Sequence, residues 1–341
     1  ASRFAAAIDE ARAALGDLVS ANHTAGVSAA VAMGGRVVWS EGAGLADLEH
    51  AAAVTDQTRF GIGSISKAMT MAVAVRLWER GLLDLDAPIE RYLPDFPHRG
   101  RGITVRRIAA HQSGLSDQFA TDHYQTTRHF DTLDAAYQEI RHARLDYEPG
   151  SQTVYATGLY TIIGRVLEVV SGRDYETLMR EELFAPAGMQ GVVPNDRRAI
   201  IPHRTGFYQR REGGGFEHGP FFNPSFKLPG AGYLATAGDL ARFGVALLDG
   251  TALTARGRAE MFRAVPLTSG AATPWALGMQ VTTDDAGGRL WHLPGGGIGI
   301  SSWLFIHPDT NVVVALLANV NTAPVGGRAY RRILAAFRAT H

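Results

Sequence analysis

One helix-length stretch of apolar residues, entered through a serine and a lysine, constrains this chain more than any other feature. From residue 64 to about Arg80 the sequence is apolar almost all round, and Gly81 is placed to end a helix there. A helix without a polar face is buried on every side, so other elements must surround it. The apolar positions are Met69, Met71, Ala72, Val73, Val75, Leu77 and Trp78.

The first residues of this helix carry a candidate chemistry. Ser64 stands where the chain enters the helix, and Lys67 lies three residues further on the same face. Burial disfavours the ammonium form of a lysine, which suits Lys67 to accept a proton from Ser64. The helix N-terminus makes the Ser64 N–H a candidate donor to an oxyanion. Alone, the pair also fits a serine N-cap with a surface lysine, and the buried helix favours the catalytic interpretation.

Composition excludes several other classes of protein. Lys plus Arg and Asp plus Glu are balanced at 33 each, which gives no electrostatic footprint for nucleic acid. The absence of cysteine excludes a thiol nucleophile, disulfides and thiolate metal sites, and is compatible with either side of a membrane. No apolar stretch is long enough to span a bilayer. The 12 histidines are scattered, so we expect no metal and no cofactor.

Strand-like segments concentrate at the two ends of the chain, and helical patterns fill the middle. The N-terminal part predicts a helix over 4–19 and a β-hairpin of 26–32 with 37–41 around Gly34-Gly35. Strands are predicted over 275–281, 289–292, 300–306 and 312–318, followed by a helix over 327–339. The helices predicted between these parts cover 104–110, 131–144, 159–171, 175–183 and 239–248.

This order of elements predicts an α/β (α+β) fold, with an antiparallel sheet flanked by the N- and C-terminal helices and an inserted, mostly helical lobe. The sheet domain would comprise residues 1–81 and 245–341, and the helical domain residues 82–244. A cleft between two such lobes is where sites usually form.

Two further motifs offer partners for Ser64. Tyr155 follows the Pro149-Gly150 turn and precedes an apolar helix, where a phenol near a buried cation could relay protons. The second is a glycine-rich run from His292 to Gly299, in which Gly296 could supply an oxyanion N–H and let a substrate approach a strand edge. Each alone also fits an ordinary structural role.

Together, the order and spacing of the three motifs resemble those of the serine β-lactamase and penicillin-binding-protein superfamily. The resemblance covers nearly the whole chain and is strongest to the class C-like branch, which includes family VIII carboxylesterases, D-alanyl-D-alanine peptidases and mitochondrial serine β-lactamase-like proteins. Further segments that carry it are 61–67 with 82–86, 111–115 and 232–240. The resemblance implies a β-lactamase/transpeptidase-like fold.

The resemblance also implies roles for individual residues. Ser64 matches the acylated nucleophile, Lys67 its partner, and Tyr155 the tyrosine of a Tyr-x-Asn motif. Gly296 matches the second oxyanion donor, and Gln118 matches a contact to the substrate amide.

The chain departs from the family pattern at two points. Thr157 stands where the family has the Asn of Tyr-x-Asn, which weakens contacts with a substrate amide. In the third motif, either His292 keeps the cationic role through a one-residue insertion or Leu293 occupies the slot. With Leu293 there, neutral esters or other acyl substrates are favoured over carboxylate-bearing ones. A rival second motif, Ser116-Asp117-Gln118, lacks the expected Asn, and we prefer Tyr155.

We therefore predict a serine hydrolase with a Ser64 acyl-enzyme. A carboxylesterase of short-chain esters, with weak β-lactam hydrolysis, fits best, and its partners would be small ester, amide or β-lactam molecules. One alternative is a serine peptidase of the D-alanyl-D-alanine carboxypeptidase, D-aminopeptidase or mitochondrial β-lactamase-like type. The other is a catalytically weak protein that binds ligands or assembles into polymers.

Overall fold

The computed structural model describes residues 3–340 of the chain. Its helices lie at both ends of the sequence and through the middle. In chain order they are α1 (Ala5–Ser20), α2 (Ile65–Glu79), α3 (Val105–Ala109), α4 (Gln118–Asp122), α5 (Leu133–Ile140), α6 (Tyr160–Ser171), α7 (Tyr175–Met179), α8 (Leu228–Ala231), α9 (Ala237–Asp249), α10 (Ala255–Met261) and α11 (Tyr330–Arg338). Within the described residues, no helix is both long and apolar enough to cross a membrane.

The strands of the main sheet come from both ends of the chain. All strands, in chain order, are β1 (Gly26–Met33), β2 (Arg36–Asp47), β3 (Ala52–Ala53), β4 (Phe60–Gly61), β5 (Val193–Pro194), β6 (Tyr208–Arg210), β7 (Phe216–His218), β8 (Tyr233–Ala235), β9 (Gln280–Thr283), β10 (Arg289–Gly297), β11 (Ile300–His307) and β12 (Val312–Ala318). Within residues 3–340, seven of them form one antiparallel sheet in the order β3-β2-β1-β12-β11-β10-β9. The predicted antiparallel sheet is confirmed.

The hairpin at the start of the sheet forms where the sequence predicts it. Gly34 and Gly35 both have positive φ angles, +57° and +79°, which a glycine pair adopts without steric cost. The second strand is longer than predicted and extends to Asp47. All eight residues of β1 are buried, because helices cover both faces of the sheet.

Two layers of helices enclose the sheet. Helices α1 and α11 pack on one face, where Leu15 and Phe337 join an apolar cluster with β1 and β12. Helices α2 and α9 pack on the other face and belong to the larger core. The predicted flanking by N- and C-terminal helices is therefore confirmed. The division at residue 245 stays a prediction, and it runs through α9, which packs on the sheet.

Two predicted elements differ from the structure. The segment Trp275–Val281 was expected to be a strand, but β9 begins only at Gln280. The preceding residues turn instead, because Gly278 has a φ of +78° and lies against the Lys67 carbonyl. The helix predicted over 131–144 ends at Ile140, since the chain turns so that Leu145 can pair with Leu115.

An unpaired strand edge sets the position of the site. Strand β9 pairs with β10 only from Arg289 to His292. The rest of β10, from Leu293 to Gly297, is paired with β11 on its other side. This half of β10 lies beside the start of α2 and leaves an edge onto which an extended ligand can align.

Candidate active site

Ser64 is held at the N-terminus of α2 by a close contact with β10. Gly63 has a φ of +50°, and a Cβ added there would lie 2.7 Å from the backbone nitrogen of Gly296. Only glycine allows the chain to approach the strand so closely while adopting this backbone conformation. The sequence Gly63-Ser64 therefore sets the nucleophile candidate directly beside the glycine-rich strand.

The same contact brings two backbone N–H groups together. The N–H groups of Ile65, Ser66 and Lys67 already bond to carbonyl groups within the turn. The preceding N–H, that of Ser64, is thus free to face a ligand. A Cβ on Gly296 would meet nothing within 4 Å, so its surroundings are open. The predicted oxyanion donors are adjacent in space.

Lys67 is completely buried, and its ammonium group has a partner for each of its protons. Nζ lies 3.0 Å from Ser64 Oγ, 3.0 Å from Thr157 Oγ1 and 3.0 Å from the carbonyl oxygen of Gly230. The ring of Tyr155 lies below the ammonium, with its centroid 4.8 Å from Nζ. These contacts hold Nζ within hydrogen-bond distance of Ser64 Oγ, where the lysine could accept the hydroxyl proton once it is in its amine form.

Tyr155 completes the arrangement at Ser64. Its hydroxyl donates to Ser64 Oγ at 2.5 Å, and the residue as a whole is 45% exposed to solvent. The ring packs on His111 and Trp275, with centroid distances of 4.4 and 5.6 Å. The predicted trio of Ser64, Lys67 and Tyr155 is thus brought together in hydrogen-bond contact.

His111 supports the loop that carries Tyr155. Its Nδ1 accepts a hydrogen bond from the Ala156 N–H at 3.2 Å, so the ring carries its proton on Nε2. Burial, with the nearby charge of Lys67, holds the pKa of His111 well below its usual range. A neutral imidazole beside the tyrosine ring avoids placing a second cation next to Lys67.

Asp117 of the rival motif has a structural role. The Asp117 carboxylate accepts the backbone N–H groups of Thr157 at 2.6 Å and Gly158 at 2.9 Å. Burial is the largest effect and raises the pKa of Asp117. The two hydrogen bonds and the charge of Lys67 lower it, but by less. Asp117 therefore anchors the segment that follows Tyr155.

The neighbours of Asp117 lie away from the nucleophile. Ser116 Oγ accepts from the Gln118 N–H, and the exposed Gln118 side chain donates to Asp122 at 2.6 Å. Neither side chain has a hydrogen bond to Ser64. The substrate contact expected of Gln118 stays a prediction, and Ser116 does not take the place beside Ser64 that Tyr155 has.

His292 and Leu293 lie on opposite faces of the sheet. His292 Nε2 is 3.1 Å from Thr282 Oγ1, and its ring stacks beside Trp303 on the face covered by α11. Burial lowers the pKa of His292. Leu293 is buried in the core that contains α2. Consequently the structure does not bring His292 to Ser64, and Leu293 is the one of the two that lies on the face packed by α2.

Among residues 3–340, one group of side chains could hold a metal ion, and it lies outside the arrangement around Ser64. Asp47, Glu49 and His50 offer ligand atoms within 4.8 Å of one another at the end of β2, where Glu49 and His50 are exposed. Asp47 already accepts the His50 N–H. None of these residues contacts Ser64.

Sequence reasoning missed two charged residues here. Asp117 was considered only as part of a rival motif, and its role depends on a contact across the fold. Lys227 was not considered, although a signal was present. The chain has 33 Lys and Arg residues, and only Lys67 and Lys227 are lysines.

Comparisons with known proteins indicate the family to which this chain is similar. A sequence model of the β-lactamase family matches residues 4–337. The serine β-lactamase-like protein LACTB of human mitochondria is 26% identical over 315 residues, covering 72% of this chain and 57% of that protein. Esterase EstB of Burkholderia gladioli is 29% identical over 200 residues, covering 53% of this chain and 50% of the esterase. This chain therefore spans little more than half the length of these curated relatives.

A similar fold occurs among solved structures. The D-amino acid amidase of Ochrobactrum anthropi, in complex with L-phenylalanine, aligns with a TM-score of 0.84 at 23% identity. The alignment covers 98% of this chain and 99% of the amidase. The whole architecture, including the helical lobe, is thus shared.

Proposed function

This chain belongs to the β-lactamase family, and from that premise we propose that it is a serine hydrolase that forms an acyl-enzyme on Ser64. The main support is that two groups contact Ser64 Oγ: Lys67 Nζ lies 3.0 Å from it and the Tyr155 hydroxyl 2.5 Å from it. One buried base and one phenol hydroxyl at the same oxygen supply what nucleophilic acyl transfer requires.

In the acylation step, Lys67 in its amine form takes the hydroxyl proton as Ser64 Oγ attacks the substrate carbonyl carbon. The N–H groups of Ser64 and Gly296 hold the oxyanion. When the tetrahedral intermediate collapses, the bond to the leaving oxygen breaks, and Tyr155 donates a proton to that oxygen. Tyr155 recovers its proton from Lys67.

In the deacylation step, a water molecule attacks the acyl carbonyl. Its proton passes to Lys67 or through Tyr155, and the same two N–H groups hold the second oxyanion. Collapse breaks the bond to Ser64 Oγ, which recovers a proton, and the acid is released. The net reaction converts an ester and water into an alcohol and an acid.

Short-chain esters are the substrates that this site suits best, with weak β-lactam hydrolysis as a side activity. Leu293 offers no cation to a carboxylate on the leaving group, and the hydroxyl of Thr157 replaces an amide that would contact a substrate amide. Both changes favour substrates with uncharged leaving groups. The similarity to an esterase supports this choice.

Fluorophosphonate labelling tests the proposal. We expect a single adduct on the tryptic peptide that contains Ser64, and no adduct in Ser64→Ala. Ser66→Ala is the matched control, because it lies two residues away with its hydroxyl bonded to the Gly63 carbonyl, and its labelling should persist. Esterase activity retained by Ser64→Ala would refute the proposal.

A substrate panel then separates the alternatives. 4-Nitrophenyl butyrate, nitrocefin and a peptide ending in D-alanyl-D-alanine are compared by kcat/KM. Ester preference is expected. Hydrolysis that is faster on the peptide would instead identify a peptidase.

A further inference from the structure

Lys227 is the second of two lysines in a chain whose other basic side chains, apart from histidine, are arginines. It ends the 3-10 turn Pro224–Lys227, directly before α8. That helix contains Gly230, whose carbonyl oxygen accepts from Lys67. Lys227 therefore lies three residues before Gly230, the residue whose carbonyl binds Lys67.

The Lys227 side chain is largely buried, but its ammonium nitrogen is not fully closed off from solvent and has no polar partner in the described residues. The residue is 8% exposed, and among the described residues Nζ has neither a hydrogen bond nor an ion pair. Two aromatic rings lie near it, with Nζ 5.0 Å from the centroid of Tyr124 and 5.2 Å from that of Phe226. In this position the Lys227 ammonium gives up much of its hydration, and the only attraction that it gains from the described residues around it is a cation–π contact.

No neighbouring carboxylate forms an ion pair with the Lys227 ammonium in the described residues. Asp117 attracts Lys227, yet both of its carboxylate oxygens are engaged by the Thr157 and Gly158 N–H groups. Burial, with the charge of Lys67, lowers the pKa of Lys227 to about 8, so the side chain is still protonated at neutral pH. Lys227 thus carries a positive charge that, within the described residues, forms no ion pair.

The position of Lys227 indicates which part of a substrate it meets. Tyr155 protonates the leaving group in the proposed mechanism, so the leaving group lies on the Tyr155 side of Ser64. Lys227 is connected to Lys67 through two other residues: Thr157 accepts from Lys67, Asp117 accepts from the Thr157 N–H, and the charge of Lys227 acts on Asp117. Tyr124, whose ring lies by the ammonium, is 43% exposed, so this side of Lys227 is close to solvent.

We propose that Lys227 forms a subsite for a carboxylate on the acyl part of the substrate, so that the preferred substrates are half-esters of short dicarboxylic acids. This rests on the proposed acyl transfer at Ser64. An anionic acyl chain would pair with Lys227 while an uncharged alcohol leaves past Leu293.

Matched substrates test the subsite. 4-Nitrophenyl butyrate and the 4-nitrophenyl half-ester of succinic acid have four-carbon acyl chains that differ in a terminal carboxylate. We expect wild-type kcat/KM to favour the half-ester. Lys227→Met should lower that preference by roughly 10- to 100-fold, the usual worth of a hydrogen bond to a charged group. Lys227→Arg should restore part of it.

Two controls test whether the effect is specific to Lys227 and to a carboxylate on the acyl part of the substrate. Arg128→Gln removes an exposed positive charge that lies over Phe130, a ring in contact with Phe226, and should leave the preference within about twofold because surface charges contribute little. 3-(Butanoyloxy)benzoate carries its carboxylate on the leaving group. A Lys227-dependent preference for that ester instead, or an unchanged preference in Lys227→Met, would overturn the proposal.

Binding can also be measured without turnover. With ¹³Cε-lysine, the full chain gives only two lysine side-chain signals, which Lys227→Arg assigns. In Ser64→Ala, the succinate half-ester should shift the Lys227 signal and the butyrate ester should not. This readout separates the two proposals, since failed labelling of Ser64 would not alter it. Equal shifts with both esters would contradict the subsite.

Discussion

The Asp117 carboxylate accepts the backbone N–H of Thr157 at 2.6 Å, across 40 residues of sequence. With its second hydrogen bond, to the Gly158 N–H, it fixes the segment that joins Tyr155 to α6. Thr157 in turn accepts from Lys67, so one carboxylate sets the relative position of the base and the tyrosine. Positioning of this kind affects rate strongly because reacting groups tolerate little displacement.

Asp117→Asn should therefore slow turnover while the acyl-enzyme still forms. The amide keeps one acceptor and turns a donor towards an N–H, so we expect kcat to fall by roughly tenfold or more and unfolding free energy by about 1–3 kcal/mol. Steady-state kinetics and urea unfolding measure the two effects. The pH–rate profile should keep both limbs, and loss of its acidic limb would instead identify Asp117 as the general base.

Tyr155→Phe removes only the hydroxyl that contacts Ser64. We expect kcat to fall by roughly a hundredfold or more, the upper range for one acid–base group. Ser116→Ala, the corresponding change in the rival motif, should have a near-normal rate because the hydrogen bonds of Ser116 are with the Gln118 N–H and Asp146, and not with Ser64. Esterase assays on both variants decide between the motifs. A near-normal rate in Tyr155→Phe with a large loss in Ser116→Ala would favour Ser116.

The fold was predictable from local patterns. The all-round apolar helix α2, the glycine pair between β1 and β2 and the apolar strands near the C-terminus each indicate an element by its period or turn chemistry. The grouping of Ser64, Lys67 and Tyr155 followed from three motifs taken together, although only the fold makes Tyr155 a neighbour of Ser64.

The remaining features depend on register and on distant contacts. His292 and Leu293 were alternatives because a one-residue shift along a strand reverses the face on which a side chain lies. The contacts of Asp117 join segments far apart in sequence, and no local pattern encodes them. Lys227 is different, because its significance could have been inferred from the scarcity of lysine.

Gly63→Ala should displace the nucleophile. A methyl group there would lie 2.7 Å from the Gly296 nitrogen, and the φ of +50° is unfavourable for alanine by about 1–2 kcal/mol. We expect lower stability and at least roughly a tenfold lower kcat as Ser64 moves from the oxyanion donors. Gly16→Ala is the control, since its Cβ meets nothing within 4 Å in α1. Wild-type kinetics in Gly63→Ala would contradict this close contact.

Acid should destabilise the fold through His307, which lies away from Ser64 at the end of β11. Its Nδ1 accepts from Arg338 at 2.9 Å and its Nε2 bonds to the Tyr330 hydroxyl at 2.8 Å, so the native ring is neutral. Burial, with the charge of Arg338, lowers the pKa of His307 to about 4, although Asp284 attracts the protonated form. The unfolded chain, with an ordinary histidine pKa of about 6.5, therefore binds the extra proton between these values.

Stability contributed by neutral His307 is complete above about pH 6.5 and is lost as pH falls towards 4. Urea unfolding at pH 7 and 4.5 should show a difference of about 2–3 kcal/mol that is smaller in His307→Gln. Glutamine can accept from Arg338 and donate to Tyr330 without titrating, which makes it the matched replacement. An equal loss of stability in wild type and His307→Gln would show that the acid sensitivity arises from other groups.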